Sequence, residues 1–150
     1  MNLPVYHIDT SVILADMFEQ FDNAVLPKLW QLSGMKRKFY VVFSSVVFGE
    51  VVKVLKESPP QRMSIGFEYL RHLFQWYNIG IYTPEARTFK AVRELEEVDN
   101  RLESMDAFVL ASAITAKAQK FITLDSDFLN VQLKSYVRQN YNLTIEEPSL

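Results

Sequence analysis

Five carboxylates sit against apolar residues, where a solvated surface acid is not normally placed. Asp9 closes Val-Tyr-His-Ile-Asp, Glu50 follows Phe-Ser-Ser-Val-Val-Phe-Gly, and Asp106 opens Asp-Ala-Phe-Val-Leu-Ala-Ser-Ala-Ile. Asp125 and Asp127 close Phe-Ile-Thr-Leu-Asp-Ser-Asp. A charge on apolar surface costs free energy unless it is paired. If these groups converge, like charges about 4 Å apart repel by roughly 4 kcal/mol per pair at an effective dielectric near 20. Some would then keep a proton at neutral pH. A divalent cation relieves that repulsion, and an all-oxygen set suits Mg²⁺ or Mn²⁺. The two histidines, His7 and His72, are not paired at metal-ligand spacing.

Taken singly, most of these acids have a plainer reading. Asp9 follows a strand-like run and precedes a helical one, so it could simply cap the helix. Glu50 falls within the apolar stripe Val47, Val51, Val54 and Leu55, where it could reach water or pair weakly with Lys53. Asp106 stands in a first helical turn, where the helix dipole favours negative charge by about 0.3–1 kcal/mol. Asp127 could be a turn residue bonding its own backbone. His7 shares a strand face with Asp9 by alternation and reads as a packed or hydrogen-bonded residue.

The elements that must position these groups alternate. Val5 to Ile8, Phe39 to Phe43, Ile79 to Tyr82 and Phe121 to Leu124 read as short buried strands, with a fifth near Leu143 to Glu146. Helical patterns fill Thr10 to Gln20, Ala24 to Leu32, Ser44 or Ser45 to about Glu57, and Gln61 to Tyr77. Two more run from Pro84 in a first turn to about Val98, and from a Ser104 cap to Gln119. The tail after Phe128 matches nothing assignable. Strands alternating with helices predict a three-layer α/β/α sandwich with a mostly parallel central sheet of four to five strands. In such a sheet ligands gather at the carboxyl ends of strands, where Asp9 and Asp125 both stand if their strands are neighbours. Ser58-Pro59-Pro60 reads as a break between helices, so residues 1–150 are expected to form a single domain.

The totals narrow the function. Hydrophobic residues make up 49% of the 150-residue chain and charged residues 23%, an ordinary globular balance. The absence of cysteine excludes disulfides, thiolate metal sites and cysteine nucleophiles, and fits a reducing compartment. The net charge of −2 gives no global field for nucleic acid, so any such binding must use local patches. No apolar run is long enough for a membrane span, and no signal peptide is expected at the N-terminus. With four glycines there is no phosphate-cradling loop, and Asp9-Thr10-Ser11 lacks the Asp-x-Asp-x-Thr of haloacid-dehalogenase-type phosphotransfer.

In order along the chain, Ile-Asp-Thr-Ser, Gly-Glu-Val, Asp-Ala-Phe-Val-Leu-Ala-Ser-Ala and Ile-Thr-Leu-Asp-Ser-Asp-Phe resemble the PIN-domain family of nucleases. That family includes the VapC-like toxins of prokaryotic toxin–antitoxin pairs, and the resemblance covers Asp9 to Phe128. It implies a cytoplasmic, Mg²⁺- or Mn²⁺-dependent endoribonuclease in which Asp9, Glu50, Asp106 and Asp125 bind the metal and Asp127 is an accessory acid. Such an ion activates water, holds the scissile phosphate and stabilises charge on the departing oxygen, so no side-chain nucleophile is required. Thr10 or Ser11, and Thr123, would orient ligands, or else cap a helix and pack a strand. Lys36, Arg37, Lys38, Lys53 and Lys56 would guide RNA phosphates, or else be solvated charges. An antitoxin protein and a homodimer are the implied protein partners. The aromatics Phe67, Tyr69, Phe74, Trp76 and Tyr77 read as core, with a dimer face or an antitoxin groove as alternatives. A different class, a catalytically silent PIN-like module for RNA binding or assembly, would have been free to lose the acids.

Overall fold

The computed structural model describes residues 3–19, 38–76 and 79–149, without the side chain of Trp76. Five strands form one sheet: β1 (Val5–Ile8), β2 (Tyr40–Ser44), β3 (Ile79–Tyr82), β4 (Lys120–Ile122) and β5 (Thr144–Glu146). All four pairings are parallel, in the order β3-β2-β1-β4-β5. The described helices are α1 (Thr10–Met17), α2 (Ser45–Lys56), α3 (Pro60–Trp76), α4 (Ala86–Val98), α5 (Ser104–Thr115) and α6 (Val131–Tyr141). None of them is long and apolar enough to cross a membrane.

Successive strand residues are buried, as His7 and Ile8 are in β1 and Phe121 and Ile122 in β4. Neighbouring side chains on a strand point to opposite faces, so helices must cover both faces of the sheet. The core gathers Ile8, Ile13, Phe43, Val51 and Leu55 with Leu110, Phe121, Phe128 and Leu133.

The strand order fixes where a ligand can sit. From β1 the chain steps outward through β2 to β3, then returns to the other side of β1 to lay down β4 and β5. The direction of winding therefore reverses between β1 and β4, the point at which open parallel sheets leave a crevice beyond their carboxyl ends. The register Ile8↔Ile122 aligns the two strand ends, and the Asp9 N–H donates to the Ile122 carbonyl at 3.0 Å. The expected adjacency of the strands leading into Asp9 and Asp125 is thus met.

Several expected boundaries move, each for a local reason. Pro84 lies before α4 rather than in its first turn; Glu85 holds the N-cap position and its N–H donates to Thr88 Oγ1 at 3.0 Å. Ser104 is the first residue of α5, not its cap, a place taken by Glu103. That helix ends at Thr115 instead of Gln119 because Lys117 turns left-handed, at φ 58°, and redirects the chain into β4. Strand β4 stops at Ile122, since the Leu124 N–H donates to Ser11 Oγ at 3.0 Å rather than to a strand neighbour. The tail contains a helix that the sequence pattern missed, α6, capped by Asn130 Oδ1 accepting from Gln132 and Leu133 N–H. Phe74 is partly buried and packs on Phe43 and Phe48, while Phe67 is 44% exposed and is not core. Residues 24–32 and Tyr77 lie outside the described residues.

Candidate metal centre

Asp9 occupies the N-cap position of α1, but its side chain makes no capping bond. Its carboxylate instead accepts from Ser11 Oγ at 2.7 Å and Thr123 Oγ1 at 2.9 Å. The capping reading of Asp9 therefore fails. Each hydroxyl also accepts a backbone N–H, Leu124 to Ser11 at 3.0 Å and Asp125 to Thr123 at 3.0 Å. These two side chains lace the end of β1 to the end of β4. Asp9 is 4% exposed, and burial pushes its carboxyl up from the ordinary range against the pull of both hydroxyls.

Glu50 reaches the same place from α2. Ser44 starts that helix at the end of β2, accepting the Val47 N–H at 3.3 Å. Val47, Val51 and Leu55 turn inward, and Glu50 stands half-buried beside them. Thr10 Oγ1 donates to Glu50 Oε1 at 2.9 Å. Burial raises the Glu50 carboxyl, the Thr10 hydrogen bond pulls against it, the Asp9 charge adds to the rise, and Lys53 offsets it least.

Asp106 lies in the first turn of α5, whose body from Ala107 to Thr115 is mostly buried. Burial first, then the charges of Asp125, Asp9, Glu103 and Glu50, push its carboxyl up to about 7. A helix dipole alone would lower it. The accumulation of negative charge therefore outweighs the helix end. Asp125 caps a short 3₁₀ turn, Ser126–Phe128, by accepting the Asp127 N–H at 3.0 Å. Asp127 itself is exposed.

One carboxylate oxygen each from Asp106, Asp125 and Asp127 lie within 4.8 Å of one another. Oxygens on opposite sides of an octahedral ion with 2.0–2.1 Å bonds are about 4 Å apart, so the spread is close to what a shared Mg²⁺ requires. Acids from four separate segments thus come to one sheet edge, and Asp127, held in reserve by sequence, stands in the close group. Asp9 and Glu50 act on Asp106 through charge and are braced by Ser11, Thr123 and Thr10. All-oxygen donors and carboxyls whose charge is penalised fit a hard divalent cation.

The remaining candidates divide. Lys36 and Arg37 lie outside the described residues, and Lys38 is exposed. Lys53 and Lys56 sit in the last turn of α2 and line a shallow depression with Gly49, Val52 and Glu57. His7 is packed in the core and stacked on Phe121 at 5.7 Å, and neither ring nitrogen has a hydrogen-bond partner. Burial lowers its pKa to about 3, so it is neutral and takes no part in the acidic group. Sequence reading missed Glu103, whose charge bears on Asp106 from three residues upstream. It stands outside any apolar run, so no patterning signal marks it.

The chain resembles solved structures over nearly its full length. VapBC2 from Rickettsia felis, bound to a DNA fragment from its promoter, is 18% identical, covers 97% of this chain and 99% of that one, and has a TM-score of 0.69. VapBC-1 from nontypeable Haemophilus influenzae is 16% identical, with 95% and 97% covered and a TM-score of 0.66. VapBC-5 from Mycobacterium tuberculosis, of the VapBC family of toxin–antitoxin systems, is 17% identical, with 96% and 98% covered and a TM-score of 0.61. At these identities the likeness shows the fold. No curated protein matches the chain. The PIN domain family model matches residues 6–134, most of the chain, and the protein belongs to the PIN domain family.

Proposed function

We propose that this protein is a VapC-like toxin: a Mg²⁺- or Mn²⁺-dependent endoribonuclease that hydrolyses RNA phosphodiester bonds and is held in check by an antitoxin protein. The observation that carries the reading is the gathering of Asp9, Glu50, Asp106, Asp125 and Asp127 at the switch point of the sheet. The Asp106 carboxyl there is driven up to about 7 by burial and its acidic neighbours. Asp9, Glu50, Asp106 and Asp125 would hold the cation, with Asp127 completing the close group. When bound, such an ion activates water and neutralises charge on the phosphate and the departing oxygen. Thr123 and Ser11 hold Asp9 in one orientation, and Thr10 does the same for Glu50. Burial of Asp9 keeps water from competing for these bonds, so the carboxylates are preorganised before substrate arrives. Lys53 and Lys56 on α2 are the described lysines we assign to backbone phosphates.

The full-length likeness to VapBC structures supports the antitoxin, and exposed apolar residues on α4 and α5, among them Phe89 at 60% and Met105 at 49%, support a homodimer. The test is cleavage of single-stranded and structured RNAs with Mg²⁺ or Mn²⁺, with and without EDTA. Wild type is expected to cut only with metal, and Asp9→Asn and Asp106→Asn to lose about 100-fold or more, as removal of charge-stabilising groups does. Equal cleavage by all three proteins would sink the nuclease. Metal binding with no cleavage of any RNA would leave a non-catalytic module instead.

A further inference from the structure

We propose that the hollow beside the acidic group holds a flanking phosphate of the RNA strand, gripped by Arg101 and Ser126. This rests on the nuclease reading and adds a substrate subsite to it. The hollow, about 230 Å³, is lined by Asp99, Arg101, Leu102, Ser126, Asp127 and Asn130. Asp127 belongs both to this lining and to the close group of three carboxylates, so the two sites are one side chain apart.

The polar groups here have unequal freedom. Asp99 is 8% exposed and fully engaged: its Oδ1 accepts the Arg101 N–H at 3.1 Å and Nε at 3.4 Å, and its Oδ2 accepts Asn130 Nδ2 at 3.2 Å. Asn130 is engaged too, since its Oδ1 caps α6. Among the described residues the Arg101 guanidinium, whose side chain is 79% exposed, and the Ser126 hydroxyl make no further hydrogen bond. A guanidinium tethered through Nε retains four N–H donors on its terminal nitrogens, a fork that matches two oxygens of a phosphate. The 79% exposed Arg101 end of the pair is screened by water and free to take a second partner. Asp99, itself held by the residue that caps α6, aims Arg101 along the hollow that both line. Asp127 opposes an anion in the hollow, so strand binding through Arg101 is expected to strengthen when a divalent ion offsets that charge.

The experiment measures binding of a fluorescent single-stranded oligoribonucleotide to the full chain over a range of salt. Ca²⁺ replaces Mg²⁺ to hold down turnover, and a parallel series contains EDTA. Arg101→Gln is expected to weaken binding about 5- to 10-fold and to flatten the log Kd against log salt slope by about 0.7, the share of one phosphate contact on a single strand. Arg101→Lys should recover the slope but only part of the affinity, because a point charge replaces the fork. Ser126→Ala should cost a few-fold. In Mg²⁺, Arg101→Gln should raise KM with kcat nearly unchanged, and its melting temperature should match wild type. Unchanged affinity and slope in Arg101→Gln would overturn the subsite, as would failure of the wild type to bind RNA. Loss of antitoxin binding alone, with RNA binding intact, would also overturn it. If wild type binds but never cuts, the nuclease reading fails while the Arg101 slope still decides the subsite.

Discussion

Asp106 bears the cost of bringing these acids together, and that cost should be measurable without any substrate. Its carboxyl titrates near 7 in the folded protein against 3.8 for the free group. Between those values the folded state holds a proton that the unfolded chain releases. The contribution of Asp106 to the stability of metal-free protein therefore falls as pH rises from about 4 to about 7, then levels off. Asp106→Asn removes the penalty. At pH 8 without metal it should melt roughly 2–4 °C above wild type, equivalent to about 1 kcal/mol, a figure kept small because the half-exposed carboxyl is screened by water. Mg²⁺ should raise the melting temperature of wild type and much less that of the variant. An Asn variant melting no higher than wild type at pH 8 would show that the carboxyl is unstressed. His7 works in the opposite direction on the acid side. Its pKa is lowered from 6.5 to about 3, so the unfolded chain takes up a proton that the core refuses. Stability present above pH 6.5 is lost as pH falls toward 3, by about 1.4 kcal/mol per unit. His7→Leu removes both the titration and the two unpartnered nitrogens. Scans between pH 4 and 7 should show a flatter acid limb and equal or higher stability at pH 7; an unchanged limb would clear His7 of the effect.

At the scale of elements, the acidic edge depends on α2 delivering Glu50, and α2 is seated by α3. Gly66 makes that seating possible: a Cβ there would lie 2.2 Å from Leu55 Cδ2 and 3.0 Å from Met17 Sδ. Leu55 is fully buried and has little room to yield. Gly66→Val should cost about 1–3 kcal/mol by overpacking, seen as a lowered midpoint in urea. An unchanged midpoint would mean that α3 can shift away freely. Much of this architecture was legible in the sequence because buried parallel strands read as short apolar runs, and β3 appears at the boundaries its pattern gave. Helix α6 was not legible. Only Leu133 and Val137 are buried along it, a stripe too thin to register as periodicity in a polar segment. The convergence of the acids was legible as strand-end placement. Asp127 was legible as an accessory acid, but not its place in the close group, which arises from the 3₁₀ turn that Asp125 caps and that the tripeptide alone does not specify. The hydroxyl bracing of Asp9 escaped for a related reason: Ser11 and Thr123 are 112 residues apart, and only the β1–β4 register joins them.

For the whole molecule, the question is what covers the side of α4 and α5 where Phe89 stands. It is 60% exposed yet meets Phe108 edge-on at 5.2 Å, and Met105, one residue before Asp106, is 49% exposed. Apolar side chains grouped on adjoining helices are expensive to leave in water and mark a contact surface. A stable dimer needs about 1,200–2,000 Å² of total buried area, so these side chains would form its centre rather than its extent. Because Met105 and Asp106 share the first turn of α5, a second copy seated there would bring its own acidic edge near the first and lengthen the track along which RNA could lie. Phe89→Glu puts a charge where the partner would sit. Sedimentation of wild type at tens of micromolar is expected to give a dimer and the variant a monomer, with melting temperatures within a few degrees, since Phe89 contributes little to its own core. A wild type that sediments as a monomer would remove the homodimer, and a variant that remains dimeric would move the interface to another face.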